Sequence, residues 1–356
     1  MSSGEFAGTM PVAEPQRFDE RALERYLAAH LAGFHSPLAV AQFRGGQSNP
    51  TFLLTAGDGA QYVLRKKPAG VLLPSAHAVD REFRVIGALH GSTVPVARPL
   101  CLCSDENVIG TTFYVMGYAA GRNFWDPTLP DLSVAERAAI YDEMNRVLVA
   151  LHTLDYAAAG LGDFGRPGNY FARQIARWSK QYRASETERI DAMEKLIAWL
   201  PANVPPDEET TLVHGDYRLD NLIFHREVPR MLAVVDWELS TLGHPLADFS
   251  YHVMLWRVEG SEIGGLKGLD LAARGIPTEA QYVETYCRRT GRPAIEPRVW
   301  EFCMAYNMFR IASIRQGILK RVLEGTAASR HARESGERAR ATAEFAWQQV
   351  EQHLGG

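Results

Sequence analysis

The chain is predicted to be an α+β protein of two units, a small antiparallel sheet with one inserted helix followed by a larger, mostly helical part. Three observations predict this. Short strand-like runs between turn signals crowd the region before residue 120, and three-and-four spacing of apolar residues dominates after Gly121. The length, 356 residues, exceeds the roughly 150 residues of one ordinary domain. Residues 1–16 are expected to form a mobile arm, 17–120 the sheet-bearing unit and 121–356 the helical one.

Leu23, Tyr26, Leu27 and Leu31 share one helical face, so a helix is expected over 18–31. Strands are expected at Phe43 to Gln47 and Thr51 to Thr55, flanking the turn-rich Gly45-Gly46-Gln47-Ser48-Asn49-Pro50. Gln61 to Arg65 follows the turn signal Gly57-Asp58-Gly59 and completes a meander. A helix over 75–89, extended chain containing Val94 to Leu102 and a strand from Thr111 to Tyr118 come next. The clearest helix is Ser133 to Leu154. There Ser133 and Glu136 form a capping box, and Ile140, Met144, Val147, Leu148 and Leu151 make the buried stripe. Further helices are expected over 170–200, 245–258, 278–290, 297–324 and 330–353. One β-rich island, 210–237, interrupts them with strands at Leu222–Phe224 and Met231–Val235.

Composition excludes several functions. Thirty-eight basic against 42 acidic residues leave a net charge of −4, with no overall basic field for a nucleic-acid backbone. Four cysteines, Cys101, Cys103, Cys287 and Cys303, form no C-x-x-C pair, so neither a disulfide scaffold nor a zinc ribbon is expected, and a cytoplasmic location is. The first 16 residues lack the pattern of a signal peptide. No stretch approaches the 18 or so apolar residues that cross a bilayer, because even the apolar Met231 to Val235 meets Asp236 at once. No membrane partner is expected, and no oligomeric state is set by these features.

The island carries the chemistry. It reads Leu212-Val213-His214-Gly215-Asp216-Tyr217-Arg218-Leu219-Asp220-Asn221-Leu222, then Val234-Val235-Asp236-Trp237-Glu238. An Asp follows a short strand, an Asn comes five positions later, and a second acid ends the next hairpin. In-line phosphoryl transfer needs one carboxylate to accept the proton of the attacking hydroxyl, and an amide with a carboxylate to hold Mg²⁺ on nucleotide phosphates. The D-x-x-x-x-N spacing is that of kinase catalytic loops.

His214-Gly215-Asp216, Asn221 and Asp236 together resemble the aminoglycoside-phosphotransferase-like family, relatives of protein kinases that phosphorylate small molecules. The resemblance implies a kinase-like two-lobe fold. It makes Asp216 the catalytic base, supported by His214, and Asn221 and Asp236 the magnesium ligands. Asp248 resembles the family's buried acid that anchors the catalytic-loop backbone. The expected co-substrate is ATP or GTP.

The amino-terminal unit would supply the nucleotide parts. Gly46 and Ser48 sit in a turn able to offer N–H groups and a hydroxyl to phosphates. Kinase folds pair a third-strand cation with a helix Glu, here Glu82. Alignment puts Arg65 at the cation position, where the family carries a lysine. Lys67 lies on the same face of the strand and Lys66 on the other, so the order of candidates is Arg65, Lys67, Lys66. On pattern alone Tyr114 to Ala119 is equally a plain buried strand; the resemblance implies a hinge there, with Met116 at the back of an adenine pocket and the Gly117 and Ala119 backbone reading the base.

Trp237, Glu238, Tyr306 and Arg310 are the candidates for acceptor contact; the last two lie four apart on a helix that also bears Arg315, Lys320 and Arg321. That basic balance suits an anionic small-molecule hydroxyl substrate better than a polycationic antibiotic. The runs Gly45 to Thr51, Val63 to Pro68 and Leu73 to Glu82 resemble the branch of the family found beside or fused to acyl-CoA dehydrogenases. This implies a hydroxyacyl-CoA acceptor. Aminoglycoside, choline or homoserine kinases are the alternatives, and a pseudokinase is a further one, disfavoured because Asp216, Asn221 and Asp236 are all present. A protein kinase is disfavoured by the lack of D-F-G and A-P-E motifs.

Overall fold

The structure is a computed structural model that describes residues 8–44, 49–68, 78–206, 209–260, 265–326 and 332–354. Backbone contacts divide the chain into two units, the first Met1–Ala150, Ala159–Leu161 and Arg218–Ser240, the second Leu151–Ala158, Gly162–Tyr217 and Thr241–Gly356. This division groups residues 121–150 and the 218–240 hairpin with the sheet, a different cut from one made at residue 120.

In chain order the first stretch runs β1 (Thr9–Met10), α1 (Glu20–His30), β2 (Ala39–Phe43), β3 (Thr51–Thr55), β4 (Gln61–Lys66), α2 (Val79–Leu89), β5 (Pro99–Cys103), β6 (Phe113–Gly117), β7 (Arg122–Asn123) and α3 (Val134–His152). Then come α4 (Tyr170–Ser185), α5 (Asp191–Ala202), β8 (Thr211–Val213), β9 (Leu222–Phe224), β10 (Met231–Val234), β11 (Thr241–Gly243) and α6 (Pro245–Val253). The remaining helices are α7 (Leu271–Arg274), α8 (Glu279–Thr290), α9 (Pro297–Leu323), α10 (Ala332–Glu337) and α11 (Ala339–Leu354).

In the first unit, β1 to β6 make one antiparallel sheet in the order β1-β2-β3-β4-β6-β5. Cross-strand pairing lines up Phe52, Leu64 and Val115. Because side chains alternate, all three point to one face, and with Leu23 and Leu27 of α1 they form the core of this unit. Asp19 starts α1 by accepting the Ala22 N–H at 2.9 Å. The neighbouring row, Arg65 and Tyr114, therefore projects to the other face, where α2 contacts β5 and β6.

The described strand beside β3 is at 39–43, pairing Ala39 to Gln42 with Thr55 to Phe52 and sharing only Phe43 with the expected 43–47. The Ala-Val-Ala-Gln-Phe run has too weak an alternation to announce itself, and the turn signal drew the expectation toward the glycines. Residues 45–48 lie outside the described part. A second sheet, in the order β10-β9-β7, completes the unit. Its close approach depends on Gly121, where a Cβ would meet the Phe224 carbonyl oxygen at 2.3 Å. The Ser133–Glu136 capping box forms as expected at the start of α3.

In the second unit, β8 and β11 pair antiparallel. The long helix α9 is contacted by α4, α6, α10 and α11. Nearly every residue from Trp300 to Gln316 is buried, so α9 is enclosed rather than amphipathic. The single expected helices over 170–200 and 330–353 are each two, broken at 186–190 and at Arg338. Among the described residues no helix is long and apolar enough to cross a membrane. All four cysteines are free.

Candidate active site

In the first unit the site begins with one row of β4 and one stripe of α2. Val79, Glu82, Val85, Ile86 and Leu89 are the buried residues of α2, so Glu82 occupies a place in an apolar stripe and is 1% exposed. Such an acid must be paired. Arg65 Nε lies 3.0 Å from Glu82 Oε2, and the Tyr114 hydroxyl donates to the same oxygen at 3.0 Å. Asn49 Nδ2 donates to Glu82 Oε1 at 2.8 Å and to Glu238 Oε2 at 3.2 Å. Arg65 also reaches Asp236 Oδ1 at 2.5 Å and Glu238 at 3.7 Å.

Three carboxylates thus share one guanidinium. Burial alone would lower the Arg65 pKa, but Glu82 and then Asp236 outweigh it and push it up, so the cation is permanent. Burial, aided by repulsion from Asp236 and Glu238, pushes the Glu82 carboxyl up to about 7 despite Arg65. Lys66, on the other face, donates to Gln16 Oε1 at 3.1 Å, and Lys67 pairs with Asp80 at 3.8 Å. Of the three cations, Arg65 is the one that meets Glu82.

Asp236 closes the β9–β10 hairpin with φ +66, a left-handed conformation that Asp tolerates better than most residues. Val235 N–H donates to the Asn221 carbonyl at 2.9 Å, so Asn221 and Asp236 sit on adjoining backbone. Their donor set, an amide oxygen and a carboxylate, suits a hard divalent ion. Among the described residues no three His, Cys, Asp or Glu side chains could hold a metal between them. Magnesium fits that arrangement, since it is bound through one or two protein oxygens and completes its shell with water and phosphate.

In the second unit, β8 ends directly at His214-Gly215-Asp216, and β11 leads through His244 and Pro245 into α6. Asp248, in the first turn of α6, is 3% exposed and accepts the His214 N–H at 2.7 Å, the Gly215 N–H at 2.8 Å and a contact from His152 Nε2 at 3.2 Å. Burial opposes its charge, but His152, His214 and these donors hold its pKa below the usual carboxylate value. Gly215 has φ +82, a conformation that costs glycine nothing. Asp216 N–H donates to His214 Nδ1 at 3.2 Å, and the Asp216 carboxylate accepts from the Tyr251 hydroxyl at 2.5 Å.

Several expected acceptor residues are buried. Trp237 is 1% exposed with Nε1 bonded to the Val234 carbonyl, so it is core. Tyr306 and Arg310 are 1% and 7% exposed. Arg310 donates to the Gly215 carbonyl at 2.7 Å, while Arg315 bonds Thr342 and Lys320 the Ala184 carbonyl. The expected basic face of α9 is therefore largely spent on internal contacts, because this helix is enclosed. Glu238 instead joins the Arg65 cluster. Met116 is buried in β6, Gly117 N–H donates to the Arg98 carbonyl, and the Ala119 carbonyl accepts from Gly121. Gly46 and Ser48 lie outside the described residues.

A model of the phosphotransferase enzyme family matches residues 39–302, about three quarters of the chain. The chain belongs to this family. The chain is 48% identical over 343 residues to mouse acyl-CoA dehydrogenase family member 10, covering 95% of this chain and 32% of that protein. It is 44% identical over 323 residues to human acyl-CoA dehydrogenase family member 11, covering 89% and 41%. The chain thus spans about a third to two fifths of the length of these curated relatives. A solved structure from Ralstonia eutropha JMP134, provisionally named an aminoglycoside phosphotransferase, shares 54% identity and a TM-score of 0.86, covering 94% of this chain and 99% of that one. A thermostable mutant of aminoglycoside phosphotransferase APH(4)-Ia, in complex with ADP and hygromycin B, shares the fold with a TM-score of 0.61 at 16% identity, covering 92% and 98%. The kinase-like fold expected from the resemblance is the fold of this chain.

Sequence reasoning missed Asn49, Tyr114, His152 and Tyr251 as members of these clusters. Asn49 lay inside the quoted turn and Tyr114 inside the quoted strand, yet a buried polar partner carries no local signature.

Proposed function

We propose that the chain transfers the γ-phosphoryl group of ATP or GTP to a hydroxyl of a small molecule, with a hydroxyacyl-CoA as the acceptor. Asp216 accepts the acceptor's hydroxyl proton. The oxygen so freed forms a bond to the γ-phosphorus as the bond from phosphorus to the bridging oxygen breaks, and the nucleoside diphosphate leaves. Asn221 and Asp236 would hold Mg²⁺, which neutralises charge on the phosphates. Arg65 offers a second positive group to the nucleotide, with Glu82 and Asn49 keeping it in place; Gly46, Ser48, Met116, Gly117 and Ala119 complete the nucleotide contacts.

The observation that carries the reaction is a base presented by a loop whose backbone N–H groups at His214 and Gly215 are both held by buried Asp248. Positioning of that kind is the larger part of phosphoryl-transfer catalysis. The acceptor class rests on the likeness, over 95% of this chain, to a part of acyl-CoA dehydrogenase family member 10. An aminoglycoside acceptor is the second reading, favoured by the name of the 54% identical Ralstonia relative. A coupled ADP-release assay across hydroxyacyl-CoAs, choline, homoserine and aminoglycosides separates them. Turnover is expected with hydroxyacyl-CoAs, and turnover confined to the cationic amines rejects that acceptor.

A further inference from the structure

Four contacts from two helices converge on three consecutive residues of the second unit. From α6, Asp248 takes the N–H groups of His214 and Gly215. One helical turn on, Tyr251 donates its hydroxyl to Asp216 Oδ1 at 2.5 Å. From α9, Arg310 donates to the Gly215 carbonyl at 2.7 Å, and its guanidinium carbon lies 5.0 Å from the Tyr251 ring centre. The same guanidinium lies 5.7 Å from the Trp178 ring centre. Tyr251, Arg310 and Trp178 are 8%, 7% and 9% exposed. The phenol is therefore held by its ring as well as by its hydroxyl.

We propose that Tyr251 is a positioning residue for phosphoryl transfer, fixing the orientation of the Asp216 carboxylate and setting its basicity through a charge-assisted hydrogen bond, while Arg310 fixes Tyr251. This rests on Asp216 being the base. A carboxylate held by a single bond at Cβ turns about that bond, and a short hydroxyl donor on one oxygen stops it. The donor also stabilises the ionised form, so the base stays unprotonated to lower pH. A cation over the ring face gains from the ring quadrupole and keeps the aromatic plane still. Among the described residues of this unit, the charged and titratable groups that face Asp216 include Tyr251 from α6, Arg310 from α9 and His214 in the loop itself; Asp248 acts through the 214–215 backbone.

The test compares the full chain with its Tyr251→Phe variant, measuring turnover against pH with Mg·ATP and a short-chain 4-hydroxyacyl-CoA, and ATP hydrolysis without acceptor as a second readout. Phenylalanine keeps the ring under Arg310, so the melting temperature is expected to stay near wild type. The acidic limb of the kcat profile is expected to move up by about one pH unit, with KM for ATP changed less than about threefold. Site-specific 3-fluorotyrosine at position 251, a stronger donor of the same shape, is expected to move the limb the opposite way. An unmoved limb in both proteins, with Asp216→Asn inactive, overturns the role of Tyr251 and leaves the base assignment standing. Full activity in Asp216→Asn overturns both.

Discussion

Replacing Arg65 by Met removes the guanidinium shared by Glu82, Asp236 and Glu238, and its cost should depend on pH in a calculable way. Glu82 titrates near 7 in the folded chain, against an ordinary value of 4.5. The folded state therefore binds a proton that the unfolded chain has released. That contribution is full below 4.5 and is lost as pH rises through 7. Near pH 6 Glu82 is neutral with or without Arg65, so the variant loses mainly the contact to Asp236, about 2 kcal/mol. Above 7 the wild-type Glu82 ionises against Arg65, whereas the variant must keep it protonated, at about 1.4 kcal/mol per pH unit. At about pH 8.5 the penalty should exceed that at pH 6 by about 2 kcal/mol, reaching about 4, within the 3–5 kcal/mol typical of a buried pair broken from one side. Urea unfolding in EDTA at the two pH values measures it. A penalty that is equal at both, or greater at pH 6, refutes the reasoning.

Asp236→Ala should weaken Mg-dependent ATP binding in calorimetry while leaving metal-free ATP binding nearly unchanged; identical Mg·ATP affinity contradicts its role as a ligand. In Asp248→Asn one acceptor oxygen must serve two N–H groups, and a buried N–H left unpaired costs about 1–3 kcal/mol. A lower melting temperature and a fall in kcat of about a hundredfold are expected, and no change in either speaks against the anchor. Burial pushes the His252 imidazole down to about 4, so stability present above its ordinary 6.5 is lost as pH falls through that window. Between pH 7 and 5 the wild type should lose about 2 kcal/mol that His252→Phe does not lose, read from paired denaturation curves.

What the sequence disclosed was local. His214, Asp216, Asn221 and Asp236 stand at short spacings on a strand, a loop and a hairpin, and the folded chain places Asn221 beside the strand leading to Asp236. Alternation along β4 set Arg65 and Lys67 apart from Lys66, and alignment with the family's strand put Arg65 before Lys67; the folded chain pairs Arg65 with Glu82 and Lys67 with Asp80. Tyr306 and Arg310 were legible only as helix neighbours, because a count of charges on α9 does not tell an open face from an enclosed one. Trp237 was legible only as the neighbour of a candidate ligand, and such a side chain is as readily turned into the core, where this one lies. His152 and Tyr251 reach their partners across 96 and 35 residues, a separation over which periodicity and spacing carry no information.

The first unit is stitched from separated pieces of chain, and this bears on how it comes into being. Val234 N–H closes on the Pro95 carbonyl, Met231 N–H on Glu143, and Asp236 on Arg65. A ribosome adding residues at roughly 5–20 per second has finished all six strands of the larger sheet long before these partners emerge. Until about residue 240 is made, Glu82 and Arg65 wait without two of the acids that share the guanidinium, and β7 waits without β9. The Arg65 cluster and the second sheet are thus incomplete in the nascent chain until then, and most of the second unit is still to be translated when the first is closed.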